Sequence, residues 1–203
     1  NYLAAFGIAF MGGAAMTALM QSRQIAPRLA RILALGLLVG VAVPLHDRVT
    51  MWATPANFFN HTLQHHPGSA RAWGDFSFFL ILHGRTDEAL PPLLKAAELN
   101  PREAGYLISA INLLMSQRQV PENSVVQQAL NRIEGFPLSA YGQNSLITFI
   151  RQLTEEPATP ASLEIAAQIL NAAATNAALR PQVKRLTGLA LVYVEKKRGL
   201  APP

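Results

Sequence analysis

The start of the chain constrains the fold most strongly, because it carries no charge over the length of a bilayer. Tyr2 to Met20 is a run of 19 uncharged residues, and the first charged side chain is Arg23. A bilayer core needs about 20 such residues in a helix. The glycines at 7, 12 and 13 also suit close packing against a second helix. The run therefore predicts a membrane-spanning helix.

A second apolar run, Ile32 to Leu45, has 14 residues and follows a short basic connection. Counting from Pro27, which suits a first helical position, gives 19 residues if the arginines extend to the headgroups. Residues 1–45 thus predict a transmembrane helical hairpin. The alternative is one span followed by a hydrophobic helix packed on the soluble domain.

Three arginines, Arg23, Arg28 and Arg31, lie in the connection between the two runs. The positive-inside rule places this connection in the cytoplasm. The C-terminal domain, residues 46–203, is then expected on the other side of the membrane, most simply in the periplasm behind a bacterial inner membrane.

Charge and cysteine content exclude several classes of function. Residues 180–203 carry six basic side chains and one acidic one, whereas residues 46–179 carry eight basic and eleven acidic ones. The body is mildly acidic and predicts no nucleic-acid partner, which would need basic side chains on one folded face. The chain has no cysteine, so disulfides, thiolate metal sites and a cysteine nucleophile are excluded.

Residues 70–101 carry a pattern of small and large apolar residues at fixed places, and Pro101 follows Pro67 by 34 residues. This pattern resembles the tetratricopeptide repeat, a helix–turn–helix unit of about 34 residues. Ser77 stands where that repeat usually has glycine. With Ala70 as the first residue, the signature positions are filled by Trp73, Phe76, Ser77, Leu80, Gly84, Ala89, Leu93, Ala96 and Pro101.

The repeat predicts specific local structure. Gly84 suits the tight turn between two helices, and Thr86 is expected to cap the second helix with Asp87 and Glu88 in its first turn. Ala89 and Ala96 lie on one face and allow the helices to approach closely. In such repeats the first helix lines a groove for a protein or peptide partner, here through Arg71, Asp75 and Phe79, with Trp73 in the core.

The rest of the chain extends this pattern less strictly. Residues 54–67 predict a half-repeat whose helix is capped by Thr54 and begins at Pro55. Residues 102–203 predict further amphipathic helices set off by proline or glycine. The expected fold class is all-α, with a transmembrane hairpin followed by a tetratricopeptide-like α-solenoid.

The junction between the two parts resembles that of large multi-span glycosyltransferases ending in tetratricopeptide repeats, such as the transmembrane and tetratricopeptide repeat O-mannosyltransferases and their bacterial relatives. Trp52, Pro67 and Trp73 follow in the same order. The resemblance implies a lipid-linked sugar donor and repeats facing the lumen or periplasm. The acidic catalytic residues of such enzymes lie near their beginning, and nothing here corresponds to them. Open alternatives are the tail of a surface-polysaccharide polymerase or ligase and a membrane-anchored scaffold without enzymatic activity.

Other candidate residues favour structural roles. His61 and His65 share a helical face, as metal-binding pairs do, but no third ligand lies nearby in the sequence. They and His66 fit a helix end better, and Asp47 fits an ion pair at the membrane interface. The basic C-terminal segment, Lys184 to Arg198, could contact anionic lipid or be a solvated terminal helix. No P-loop, dinucleotide-binding or nucleophile-elbow motif occurs, so no cofactor, metal or catalytic residue is expected.

Overall fold

The computed structural model describes residues 10–14, 17–18, 21, 27–155 and 158–199. Every regular element in these residues is helical and none is a strand, which confirms the all-α class. The predicted first span, Tyr2 to Met20, and residues 22–26 of the basic connection lie largely outside the described residues. The chain divides into two compact units, residues 1–61 and 62–203.

The first unit contains a long apolar helix, α1, from Pro27 to Ala53. Its segment Arg31–Thr50 has 20 residues and a mean hydropathy of 1.7, and it is the one helix in the described part of the chain that is long and apolar enough to cross a membrane. Pro27, the predicted first helical position, is the first described residue of α1. Beyond Leu45, α1 continues through His46 and Asp47 to Ala53.

Proline explains where α1 ends. Pro44 lies inside the helix, where it removes one backbone N–H donor without ending the helix. Pro55 disfavours a helical backbone at the residue before it, and the helix breaks at Thr54. The next helix, α2, spans Pro55–His65, and Thr54 Oγ1 accepts a hydrogen bond of 3.2 Å from the backbone N–H of Asn57. The predicted Thr54 cap is therefore confirmed.

The second unit contains seven further helices among its described residues. Prolines recur ahead of three of them: Pro67, Pro101 and Pro137 are separated by 34 and 36 residues. This proline spacing continues beyond Pro101, where the residue pattern of positions 70–101 fades. The helices are α3 (Ala70–Leu82), α4 (Leu90–Leu99), α5 (Gly105–Ser116), α6 (Asn123–Gly135), α7 (Ala140–Glu155), α8 (Pro160–Thr175) and α9 (Pro181–Lys197).

The seven helices pack in two alternating sets. Consecutive helices contact each other from α3 to α6 and again between α8 and α9, and contacts also link α5 with α7, α7 with α9, and α6 with α8. One hydrophobic core runs through this arrangement. Its large, fully buried side chains include Leu80, Ile108, Ile111, Phe149 and Ile169.

The turn before α4 differs from the prediction. Thr86–Glu88 form a short 3-10 turn, and α4 begins only at Leu90, with Ala89 at its cap and no side-chain capping bond. Pro91 and Pro92 explain the delay, because each proline ring would clash with the helical carbonyl four residues earlier. In the first turn of α4 they remove donors that no helix bond needs. Thr86 therefore does not cap α4.

Polar side chains tie the helix ends together. The Arg132 guanidinium on α6 donates to the backbone carbonyls of Ala97 at 2.9 Å, Asn100 at 3.4 Å and Glu103 at 3.3 Å, and so satisfies the open end of α4. Burial lowers the pKa of Arg132. Asn176, which follows α8, satisfies the C-terminal end of α6 in a similar way, since its side-chain amide donates to the carbonyl of Ile133 at 2.6 Å.

Candidate functional site

The helix crossing predicted from the repeat forms around Ala89. Ala89 and Ala96 are fully buried, and α3 packs directly on α4. Ser77 is also fully buried, and its hydroxyl donates a hydrogen bond of 2.7 Å to the Ala89 carbonyl. A glycine at position 77 could not make this bond, so the departure from the repeat pattern has a structural role here. The turn residue Gly84 has the positive φ of 72° that was expected of it.

The remaining signature positions divide into buried and half-buried ones. Leu80 and Leu93 are buried, and Pro101 follows the end of α4 at Leu99. Trp73 and Phe76 are partly buried and pack against the core at its edge. The Trp73 indole lies at the edge because its Nε1–H donates to the Pro67 carbonyl at 2.8 Å.

The three predicted groove residues separate into two groups. Arg71 and Asp75 are exposed and form an ion pair of 3.5 Å on the surface of α3. Phe79 is instead half-buried against the core, with its ring centroid 4.2 Å from that of His83. The placement of Phe79 in a groove therefore stays a prediction. Phe78 and Leu82 are the exposed apolar residues of α3, and their spacing from Asp75 places all three on one helical face.

A tyrosine pair connects α3 with α5 and α7. A Cβ added at Gly74 would lie 2.6 Å from Cε1 of Tyr106, so the Tyr106 ring of α5 packs against the α3 backbone. The rings of Tyr106 and Tyr141 lie 4.9 Å apart. Beside them, the Ser109 hydroxyl of α5 donates to the Ser145 hydroxyl of α7 at 3.0 Å. These contacts bring three helices together at one surface.

The electrostatics of this surface are those of neutral hydrogen-bonding groups. Burial raises the pKa of Tyr106 to about 12, and the nearby Tyr141, Glu103 and Asp75 act in the same direction. Burial also raises the pKa of Tyr141. Both phenols therefore remain neutral near pH 7. Neutral phenols can donate and accept hydrogen bonds, which suits the binding of a polar ligand.

We name this surface the odd-helix face. It comprises exposed or half-exposed residues of α3, α5 and α7 that follow helical spacing around the tyrosine pair. Its chemistry combines an apolar patch, a surface ion pair and neutral hydroxyl and amide groups. Its members are Arg71, Asp75, Phe78, Leu82, Ser109, Asn112, Tyr141 and Thr148.

The other candidates do not form a site of this kind. Within the described residues, no three His, Asp or Glu side chains come together in a way that could hold a metal ion. His61 lies inside α2 and His65 at its last position, where a histidine is favourable. His66 follows directly, and Asp47 is an exposed residue of α1.

A cavity not anticipated from the sequence opens at the C-terminal ends of α5 and α7. It has a volume of about 830 Å³, and its mostly apolar lining includes Met115, Val120, Leu153 and Ile165. The start of α8, at Pro160, forms another wall. The lining comes from helix ends that are distant in sequence, so no local pattern indicates it.

Comparison of the chain with protein-family models, with curated proteins and with solved structures finds no significant match.

Proposed function

We propose that this chain is a membrane-anchored interaction module of the tetratricopeptide type, which binds a protein or peptide partner on its odd-helix face. The observation that carries the proposal is the succession of contacts linking α5 to α7 and α7 to α9, together with those linking α6 to α8. Helical hairpins stacked in this way form an α-solenoid, and solenoids bind partners along the surface made by one set of helices.

The chemistry of the odd-helix face supports a peptide ligand. Phe78 and Leu82 are 60% and 66% exposed. They are four residues apart and therefore adjacent on α3, and contiguous exposed apolar side chains are a feature of interaction sites. Ser109 and Tyr141 supply neutral hydrogen-bonding groups for an extended backbone. The Arg71–Asp75 pair offers one charge of each sign at the surface. We therefore propose a ligand with at least one large apolar anchor and a polar backbone segment.

Site-specific photo-crosslinking tests this binding mode. A photoreactive amino acid at Phe78 and another at Thr148 should yield an adduct with the same partner, since both positions lie on the odd-helix face. The same probe at the exposed Gln128 of α6 is the matched control and should not yield that adduct. Equal crosslinking from all three positions would contradict the assignment of the face.

We further propose that α1 anchors the chain in the membrane and that residues 62–199 lie outside the cytoplasm. The Arg31–Thr50 segment supports the anchor by its length and composition, and the arginines before it support the orientation. The chain has no native cysteine, so Gln21→Cys and Gln128→Cys each introduce a unique thiol. An impermeant thiol reagent should label Gln128→Cys in intact cells and Gln21→Cys only after lysis. Labelling of Gln21→Cys in intact cells and of Gln128→Cys only after lysis would show that the topology is the reverse of the one proposed.

The junction around Trp52 supports a larger context, in which this module is the C-terminal part of a multi-span membrane glycosyltransferase that uses a lipid-linked sugar donor. The repeats would position an acceptor or partner while the chemistry takes place upstream. Reading the coding sequence upstream of the Asn1 codon tests this extension. Many further spans with acidic residues in an early extracytoplasmic loop would support it, and a start codon directly before Asn1 would favour the scaffold without enzymatic activity.

A further inference from the structure

The outward side of α9 combines apolar and basic side chains in one line. Arg185, Leu189, Val192 and Lys196 are all exposed and follow one another at intervals of four, three and four residues, which places them on a single helical stripe. Leu189 and Val192 are each 60% exposed. The opposite side of α9 faces the core through buried Val183, Thr187, Ala190 and Val194. We name the exposed set the α9 stripe.

Positive charge is concentrated in α9 and the residues directly beside it, at the C-terminal end of the chain. Residues 180–199 carry six basic side chains and one acidic one, whereas residues 62–179 carry seven basic and ten acidic ones. Three of the cations are engaged within the protein: Arg198 pairs with Glu164, Lys197 lies over the Tyr193 ring at 5.7 Å, and the Arg180 guanidinium donates to the side-chain oxygens of Gln143 and Asn144. Arg185 and Lys196 instead extend from the exposed side of α9, at the two ends of its apolar pair.

This arrangement decides between possible occupants of the α9 stripe. In an antiparallel pairing of two copies, Arg185 of one chain would face Lys196 of the other, and a parallel pairing would oppose like residues. Both pairings are unfavourable because like charges repel. An anionic lipid surface satisfies both features, since Leu189 and Val192 can enter the acyl boundary while the cations remain among the headgroups.

We propose that the α9 stripe docks on the surface of an anionic lipid bilayer. This inference rests on the proposed membrane anchor, because two apolar side chains and two cations bind a bilayer weakly by themselves. A chain already held in the membrane by α1 meets that surface at high effective concentration, so a weak contact becomes populated. The electrostatic part of the contact should weaken as salt rises.

The experiment uses the full chain reconstituted in vesicles and one reporter at a time. Leu189→Cys, labelled with an environment-sensitive fluorophore, reports the α9 stripe, and Gln128→Cys on α6 is the matched control. Vesicles contain either phosphatidylcholine alone or phosphatidylcholine with an equal amount of phosphatidylglycerol. We expect a blue shift at position 189 in the anionic vesicles only, quenching by brominated lipid, and reversal of both at high salt. The reporter at 128 should not respond, and Arg185→Glu with Lys196→Glu should abolish the shift.

Flotation of the same samples separates this inference from the proposed anchor. A chain that floats with both vesicle types while position 189 shows no shift leaves the anchor standing and contradicts docking by α9. A shift of equal size in neutral vesicles contradicts the role of charge and overturns the proposal. Protection of position 189 by an acidic protein in cells, without a shift in anionic vesicles, also overturns it. A chain that floats with neither vesicle type contradicts both proposals.

Discussion

The crossing of α5 and α7 offers a sharp test of the fold, because it depends on a glycine that has no space for a side chain. A Cβ added at Gly105 would lie 2.8 Å from the Cα of Gly142 and 2.6 Å from the Tyr141 ring. Carbon atoms pack best at about 3.5–4.0 Å. The Tyr141 ring can rotate, but Gly142 Cα belongs to the α7 backbone. Gly105→Ala must therefore separate the two helices or strain them.

The expected cost follows from this geometry. Inserting one carbon into a well-packed interface costs about 1–3 kcal/mol, and alanine recovers at most about 1 kcal/mol over glycine in a helix. That recovery is small here because Gly105 is the first residue of α5. Movement of α7 would also disturb Glu103, which accepts from the Gly105 N–H at 2.8 Å and from the Ser139 hydroxyl at 2.5 Å. We expect a net loss of about 1–2 kcal/mol.

Gly188 supplies a matched control within the same fold. It lies inside α9, and a Cβ there would meet nothing within 4 Å. Gly188→Ala should therefore stabilise the domain by about 0.5–1 kcal/mol, because alanine loses less backbone entropy than glycine. The same substitution is thus expected to have opposite signs at the two positions.

Urea denaturation followed by Trp73 emission measures both variants. The chain has two tryptophans, so a Trp52→Phe background leaves Trp73 as the only reporter. The free energies of unfolding of the two variants should differ by about 1.5–3 kcal/mol. Equal effects, or a stabilised Gly105→Ala, would refute the close approach of α5 and α7.

Three further predictions concern α3 and its neighbours. Trp73→Ala should cost about 3 kcal/mol, at the low end for a large aromatic because the ring is half-buried, whereas Arg71→Ala should cost less than about 0.5 kcal/mol; urea denaturation followed by far-ultraviolet circular dichroism measures both, and equal losses would show that the orientation of α3 is wrong. Ser77→Ala should cost about 1 kcal/mol, since it removes the 2.7 Å bond to the Ala89 carbonyl and leaves that carbonyl only the longer 3.4 Å bond from the Leu93 N–H; an unchanged denaturation midpoint would contradict this role of Ser77. The pKa of Tyr106 rises from 10.0 to about 12 on folding, so its contribution to stability is complete below pH 10 and is lost as pH rises towards 12. Thermal melts between these pH values should show a smaller decline for Tyr106→Phe than for the parent protein, and parallel declines would exclude this assignment.

The starts of several helices could be predicted from the sequence because they depend on short-range covalent chemistry. Proline lacks a backbone N–H and restricts the residue before it, so Thr54 and Pro55 indicate the break between α1 and α2 without any tertiary information. The same chemistry at Pro91 and Pro92 indicates a late start for α4. A start of α4 at the Thr86 cap is too early because it does not take Pro91 and Pro92 into account.

The burial of small residues could also be predicted, since Ala89 and Ala96 lie seven residues apart on one helical face. The side of α3 that is exposed to solvent could not be predicted from the sequence. Phe78 and Phe79 are adjacent aromatic residues of equal hydrophobicity, and the choice between them depends on which neighbours surround α3. Phe79 packs against the core, whereas Phe78 is left 60% exposed.

By itself, the sequence determined the helical class, the apolar segment within α1 and the α3–α4 crossing, because each depends on hydrophobicity or on spacing within one or two helices. Only the tertiary structure decided the odd-helix face and the α9 stripe. The Ser109–Ser145 bond joins residues 36 positions apart, and no local pattern specifies which helix lies beside α5. Leu189 and Val192 resemble core residues in an amphipathic helix, and they are exposed because α7 and α8 pack against the other side of α9.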